Sequence, residues 1–228
     1  MSDFRPTVKK HAINEKKLQL HATNSVSKQA TLKFNVAKNY PRIDVYTNDD
    51  NDPKSKDPIR AAFDQPSFYL FLTLLEKAAN SKEAFEETIE NKNYTWFGGK
   101  KSEKPEVMSR VTVGKDDKGV VFICVTAKNR PKIKFHVVPT NWNYLVDINS
   151  GEKVGEAKAS HYCALAWKDM LSQMLGTYLV FNFEEEEQKD NSRNNNGGGN
   201  RWQNDKSNRE SRSSESSSFD GGDDSYPF

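Results

Sequence analysis

Residues 107–127 read VMSRVTVGKDDKGVVFICVTA, and this stretch decides the class of fold. Two runs rich in β-branched residues, Val107–Val113 and Val120–Ala127, flank the segment GKDDKG at Gly114–Gly119. β-Branched side chains suit a pleated surface, while Gly and Asp supply the backbone freedom and local hydrogen bonds of a turn. The stretch is therefore expected to be a β-hairpin. Phe122 is placed in its core, and Arg110 faces away from Val111 and Val113. Outward from the hairpin the same period of two recurs. Leu32, Phe34 and Val36 alternate with Thr31, Lys33 and Asn35, and Ile43 and Val45 alternate with Arg42, Asp44 and Tyr46. Lys132–Val138 and Trp142–Ile148 read as two further strands, each bounded by Pro, Asn or Gly, and Tyr178–Phe183 as a short closing one.

Elsewhere the period lengthens. Phe68, Phe71, Leu72 and Leu75 recur at helical spacing, with Tyr69, Leu70 and Leu74 on the other faces, as in a helix buried on most sides. A second helix is expected from Ser81 to about Glu90, with Ala84, Phe85, Thr88 and Ile89 inward. A last one is expected over Ala157–Leu175, carrying Cys163, Ala166, Trp167, Met170, Leu171 and Met174 as its apolar stripe. The expected fold is mainly β with helical insertions: an OB-like antiparallel barrel plus a C-terminal helix and a disordered tail. A plain α+β sandwich is the alternative.

Composition divides the 228 residues into three parts. Residues 1–29 form a polar, basic N-terminal arm with doublets at Lys9-Lys10 and Lys16-Lys17. Residues 30–183 are the folded body, and residues 184–228 a Ser-, Asn-, Gly- and Glu-rich acidic tail that cannot build a core. The whole chain carries a net charge of +2, but residues 1–183 hold +7 and residues 184–228 hold −5. No apolar run is long enough to cross a membrane and no apolar leader opens the chain, which points to the cytoplasm, that of a bacterial host for a phage-encoded protein. Two cysteines, Cys124 and Cys163, cannot form a disulfide framework.

No phosphate loop, zinc-protease or nucleophile-elbow motif is present, and the expectation is a protein that is not an enzyme and has no cofactor or metal. Asp49, Asp50 and Asp52 lack the glycine and glutamate of a calcium loop, and Cys124, His136, His161 and Cys163 lack zinc-ligand spacing. What stands out is basic charge interleaved with aromatic rings. Lys33, Arg42 and Tyr46 oppose the apolar face of the early strands. Tyr94, Trp96 and Phe97 run into Gly98-Gly99, Lys100, Lys101 and Lys104. Arg110, Lys128, Arg130, Lys132 and Lys134 add positive charge, and Trp142 and Tyr144 add rings. Lys and Arg neutralise phosphates, and aromatic faces stack on bases whatever their sequence. These residues are the candidate site for single-stranded nucleic acid.

The segment DDSYPF at Asp223–Phe228 adds a second signal. It resembles the acidic tip of bacterial single-stranded-DNA-binding proteins, in which a Ser/Gly/Asn-rich linker leads to acidic residues, an apolar residue, Pro and Phe. Asp223, Asp224, Pro227 and Phe228 match that pattern; Ser225 and Tyr226 depart from it. Phage replication proteins that bind single strands share the plan of an OB body with an acidic tail. The resemblance implies a sequence-independent single-stranded DNA-binding protein of replication, recombination or repair. Asp223, Asp224, Tyr226, Pro227 and Phe228 would dock replication or recombination partners. An RNA-binding protein or RNA chaperone is the runner-up. A metal-dependent nuclease using Asp44, Asp49 or Asp50 is a third class.

Overall fold

The computed structural model of the chain describes residues 13, 18–23, 27–140 and 142–183. The basic doublets of the arm and the whole acidic tail lie outside these residues. Four strands open the fold: β1 (Gln19–Thr23), β2 (Gln29–Ala37), β3 (Tyr40–Tyr46) and β4 (Ile59–Ala62), paired antiparallel in the order β1-β2-β3-β4. Leu32, Phe34, Val36, Ile43 and Val45 are all buried, as their alternation requires. β1 and the buried Ile13 fall within the segment expected to be a mobile arm, so part of that arm belongs to the folded body. Leu20 of β1 sits opposite Leu32, and burial of this short apolar position holds the strand in place.

Helix α1 (Gln65–Asn80) begins where the side chain of Asp64 accepts the Ser67 N–H at 2.7 Å, with Pro66 in its first turn. It buries Phe68, Phe71, Leu72, Leu74 and Leu75. The chain leaves α1 extended at Ser81 and enters β5 (Phe85–Asn93), where a second helix was expected. Phe85 and Ile89 fit a strand face as well as a helix stripe, and pairing with the Val- and Thr-rich β8 (Glu106–Lys115) decides between them. A two-stranded hairpin, β6 (Trp96–Phe97) and β7 (Lys100–Lys101), extends this pair outward.

β9 (Val121–Thr126) completes the hairpin read from the sequence. The Asp116 carboxylate accepts the N–H groups of Lys118 and Val120 at 3.0 and 2.8 Å, and Gly119 takes a φ of 80°. β10 (Lys134–His136) is shorter than expected, and the second sheet runs β10-β9-β8-β5. Gly114 in β8 is obligatory, because a Cβ there would enter the Phe122 ring and lie 2.8 Å from the Phe85 carbonyl oxygen.

Trp142–Ile148 forms no strand. A single bridge joins Val146 to Lys153, and the Asp147 carboxylate caps the N–H groups of Asn149 and Ser150 in a local turn. These two hydrogen bonds hold its carboxyl below the usual range. Helix α2 (Glu156–Asn182) absorbs the residues expected as a closing strand, since a helix already in place extends at one hydrogen bond per residue. Its buried positions are Ala159, Ser160, Ala164, Leu171 and Leu175; Ala166, expected inward, is exposed.

The inner faces of both sheets and the buried side of α1 share one core. Phe34, Phe63, Phe68 and Phe71 form a ring cluster there, and Trp167 of α2 reaches Phe34 at 5.4 Å between centroids. β1 lies against β10, and β4 against β8 and β9. No ladder joins the two sheets among the described residues, so the architecture is mainly antiparallel β, in two sheets, with a long C-terminal helix.

Candidate nucleic-acid interface

The basic and aromatic residues singled out in the sequence do not form one surface. Because the two sheets face each other across a shared core, the residues alternating outward on them point to opposite sides of the body. Lys33, Arg42 and Tyr46 lie on the outer face of the first sheet; Arg110, Lys132 and Lys134 lie on that of the second.

On the first sheet, Lys33 Nζ sits 4.5 Å from the centre of the Tyr46 ring. Asp44, in register with Lys33 and Arg60, is buried beneath the guanidinium groups, with Arg60 Nε at 3.1 Å and Arg42 Nε at 3.6 Å. One carboxylate among Lys33, Arg42 and Arg60 leaves this face net positive. Arg60 was not singled out in the sequence, although its place between the buried Ile59 and Ala61 in β4 marks it as outward-facing.

The second sheet's outer face is closer to neutral. Arg110 Nε pairs with Glu90 at 2.9 Å and Lys132 with Glu86 at 3.7 Å. Hydrogen bonds from Lys92 and Arg110 hold the Glu90 carboxyl below its usual range. Lys134 lies over the buried Phe122 ring at 4.1 Å. Cys124, in register with Lys134, is buried, and desolvation pushes its thiol up, away from the reactive thiolate.

Arg130 is not available as a phosphate ligand. Its side chain is 7% exposed and lies 2.7 Å from Asp52, which is fully buried. It also donates to the carbonyl oxygens of Lys54 and Asp57 at 2.9 and 2.7 Å, fastening the loop after β3 to the turn after β9. Burial opposes the charge on Asp52, but hydrogen bonds from Thr47 and Arg130 and from the Lys54 N–H outweigh it and hold the carboxyl below its ordinary value. The adjacent Lys128 is exposed at the tip of that turn, beside Asn129 with a φ of 58°.

The arm built from β6 and β7 carries two strongly exposed rings side by side on a regular element. Gly98 and Gly99 adopt φ of 57° and 79°, the left-handed pair that a two-residue hairpin turn requires. Trp96 faces Lys101 across the arm, and Phe97 faces Lys100. Trp96 is 70% and Phe97 92% exposed, while Lys101 Nζ sits 3.8 Å from the centre of the Tyr94 ring. Ser102 closes the base of the arm with hydrogen bonds to and from Thr95 at 2.8 and 3.1 Å. No ion pair engages Lys100, Lys101 or Lys104 among the described residues.

Trp142 and Tyr144 stand on the loop before α2, Trp142 being 91% exposed, and Lys153 lies 5.6 Å from the Tyr144 ring centre. Ile148 on the same loop is 95% exposed and was missed, because a strand reading gave it no reason to project. The nuclease candidates are dispersed: Asp44 is held by arginines, Asp50 by Lys28 at 2.6 Å, and Asp49 accepts the Asn51 N–H at 2.9 Å. Among the described residues no three His, Cys, Asp or Glu converge as a metal site would need. Asp223, Asp224, Tyr226, Pro227 and Phe228 lie outside the described residues. Among the described residues no helix is long and apolar enough to cross a membrane. No family model matches the chain, and neither does any curated protein or solved structure.

Proposed function

We propose that the chain binds single-stranded DNA without strong sequence preference and presents its acidic tail to proteins of replication, recombination or repair. The observation that carries this reading is the arm, where two bare aromatic rings, Trp96 and Phe97, stand opposite Lys101 and Lys100, which form no ion pair among the described residues. A flat ring beside a cation is what an unpaired base and its phosphate need. The outer face of the first sheet, with Tyr46, Lys33, Arg42 and Arg60, continues the same chemistry. The two sheets, touching along β1 with β10 and β4 with β8, act in this reading as a split OB-like barrel. The second sheet's outer face, whose cations are paired with Glu86 and Glu90, contributes less.

The tail, Asp223–Phe228, supplies carboxylates and the rings of Tyr226 and Phe228 to a partner pocket with a basic rim and an apolar floor. The test is titration of the full chain with oligo-dT, duplex DNA and RNA of equal length, followed by tryptophan fluorescence. Preference for the single DNA strand is expected, with a log–log salt slope of about −0.7 per neutralised phosphate. Equal affinity for duplex, or no salt dependence, refutes the reading; preference for RNA replaces it with an RNA-binding one.

A further inference from the structure

Edges are where sheets meet partners, and three of the four edges here are covered or very short. β1 lies against β10, β4 lies against β8 and β9, and β10 has three residues. β5 differs. It has nine residues without Pro or Gly and pairs only with β8. On its other side no backbone hydrogen bond leaves Phe85–Asn93 among the described residues. The register shift in the β5–β8 pair leaves Met108 of β8 without a partner, so the alternation of β5 itself is unbroken. Such an edge is a template for another strand unless charge forbids it.

We propose that β5 pairs antiparallel with β5 of a second copy of this chain, joining two four-stranded sheets across a two-fold axis at Ile89. The charges on the strand select this occupant and this register. With Ile89 opposite its own counterpart, Glu86 meets the partner's Lys92, Thr88 meets the partner's Glu90, and Glu87 meets the partner's Asn91. No like charges face each other, and symmetry makes the Glu86–Lys92 pair occur twice. Moving the axis to Thr88 sets Glu86 against Glu90; moving it to Glu90 sets that carboxylate against its own copy. A shift of pairing that changes parity turns the inward residues outward and is excluded by the shared core. The strand thus repels both adjacent registers; an axis at Asn91, which also avoids like charges, pairs only residues 89–93, whereas the axis at Ile89 pairs the whole strand. The present partners of these side chains, Glu90 for Lys92 at 3.1 Å and Lys132 for Glu86 at 3.7 Å, are exposed pairs that exchange at little cost. Because β5 leads into the aromatic arm, antiparallel pairing sends the two arms out at opposite ends of the joined sheet.

The experiment is sedimentation equilibrium of the full chain without nucleic acid, for the parent, Glu86→Lys, Lys92→Glu and the double exchange. The parent is expected to dimerise. Each single exchange, which replaces two attractive pairs by two repulsive ones, weakens the dimer about tenfold; the double exchange recovers it to within about threefold, because opposite charges again meet. Melting curves confirm that all four chains fold. A parent that stays monomeric, singles that dimerise like the parent, or a double no better than the singles each overturns the proposal. None of these outcomes depends on whether the protein binds DNA.

Discussion

Arg130→Ala will destabilise the protein strongly and leave strand binding by the folded molecules unchanged. The guanidinium is buried with the Asp52 carboxylate and satisfies two loop carbonyls besides. Truncation leaves Asp52 buried with only the Thr47 hydroxyl at 2.6 Å and the Lys54 N–H at 3.1 Å, takes the Arg130 donor from the Asp57 carbonyl, and leaves the Lys54 carbonyl with only the Asp57 N–H at 3.0 Å. Breaking one side of such a pair costs about 3–5 kcal/mol, because the remaining charge stays desolvated. At about 2–4 °C per kcal/mol for a domain of this size, the melting temperature falls by roughly 6–20 °C. Urea unfolding followed by fluorescence gives the loss directly. Asp52→Asn alone is also destabilising, and Arg130→Ala with Asp52→Asn together cost less than their sum, since no uncompensated charge remains. Oligo-dT affinity, measured well below the melting temperature, stays at the parent value. A loss under about 1 kcal/mol would place Arg130 among ordinary surface pairs and refute the reasoning; so would a weakened affinity at unchanged stability.

Trp96→Ala is expected to leave the melting temperature nearly unchanged and to weaken oligo-dT binding by about 1–3 kcal/mol, read from fluorescence-independent titration such as calorimetry; a collapse of stability with normal binding would make it a packing residue. Gly114→Ala drives a methyl into Phe122 and should cost about 1–3 kcal/mol in a urea melt, and an unchanged midpoint would contradict the close approach. Asp52 contributes stability that is complete above the unfolded carboxyl value of about 3.9 and is lost as the pH falls through its lower folded value. The parent should therefore weaken below about pH 4, and Asp52→Asn should flatten that part of the profile measured by thermal melts. Phe228→Ala keeps every charged side chain of the tail and should abolish recovery of partner proteins in pull-downs while sparing strand affinity; recovery of the same proteins would reduce the tail to a charge effect.

Much of the candidate site was visible as residue types and invisible as a surface. Trp96, Phe97, Lys100 and Lys101 around Gly98-Gly99 were legible together because a hairpin turn is a local object, fixed by the φ its glycines allow. Arg130 looked like Lys128 and Lys132 in the sequence, since nothing beside it reveals that Asp52 will be brought against it. Arg60 was overlooked for a related reason: four residues, Ile59–Ala62, are too few to announce a strand without the neighbour that pairs with them.

The period-two runs at Leu32–Val36 and Ile43–Val45, the Asp116 turn and the helical stripe of α1 were determined by the sequence itself. Each depends on side chains a few residues apart, and burial of one face follows from the spacing alone. Tertiary structure decided the rest. Phe85–Ile89 satisfies a helical stripe and a strand face equally, and only the presence of β8 alongside chooses the strand. Tyr178–Asn182 is rich in strand-forming residues, yet it stays in α2, with Phe183 as its extended cap, because the helix reaches it first and Tyr178 and Leu179 still pack against the core. The outward residues of the two sheets became separate surfaces because both sheets turn their apolar faces to one core, and a body with one core has two outsides.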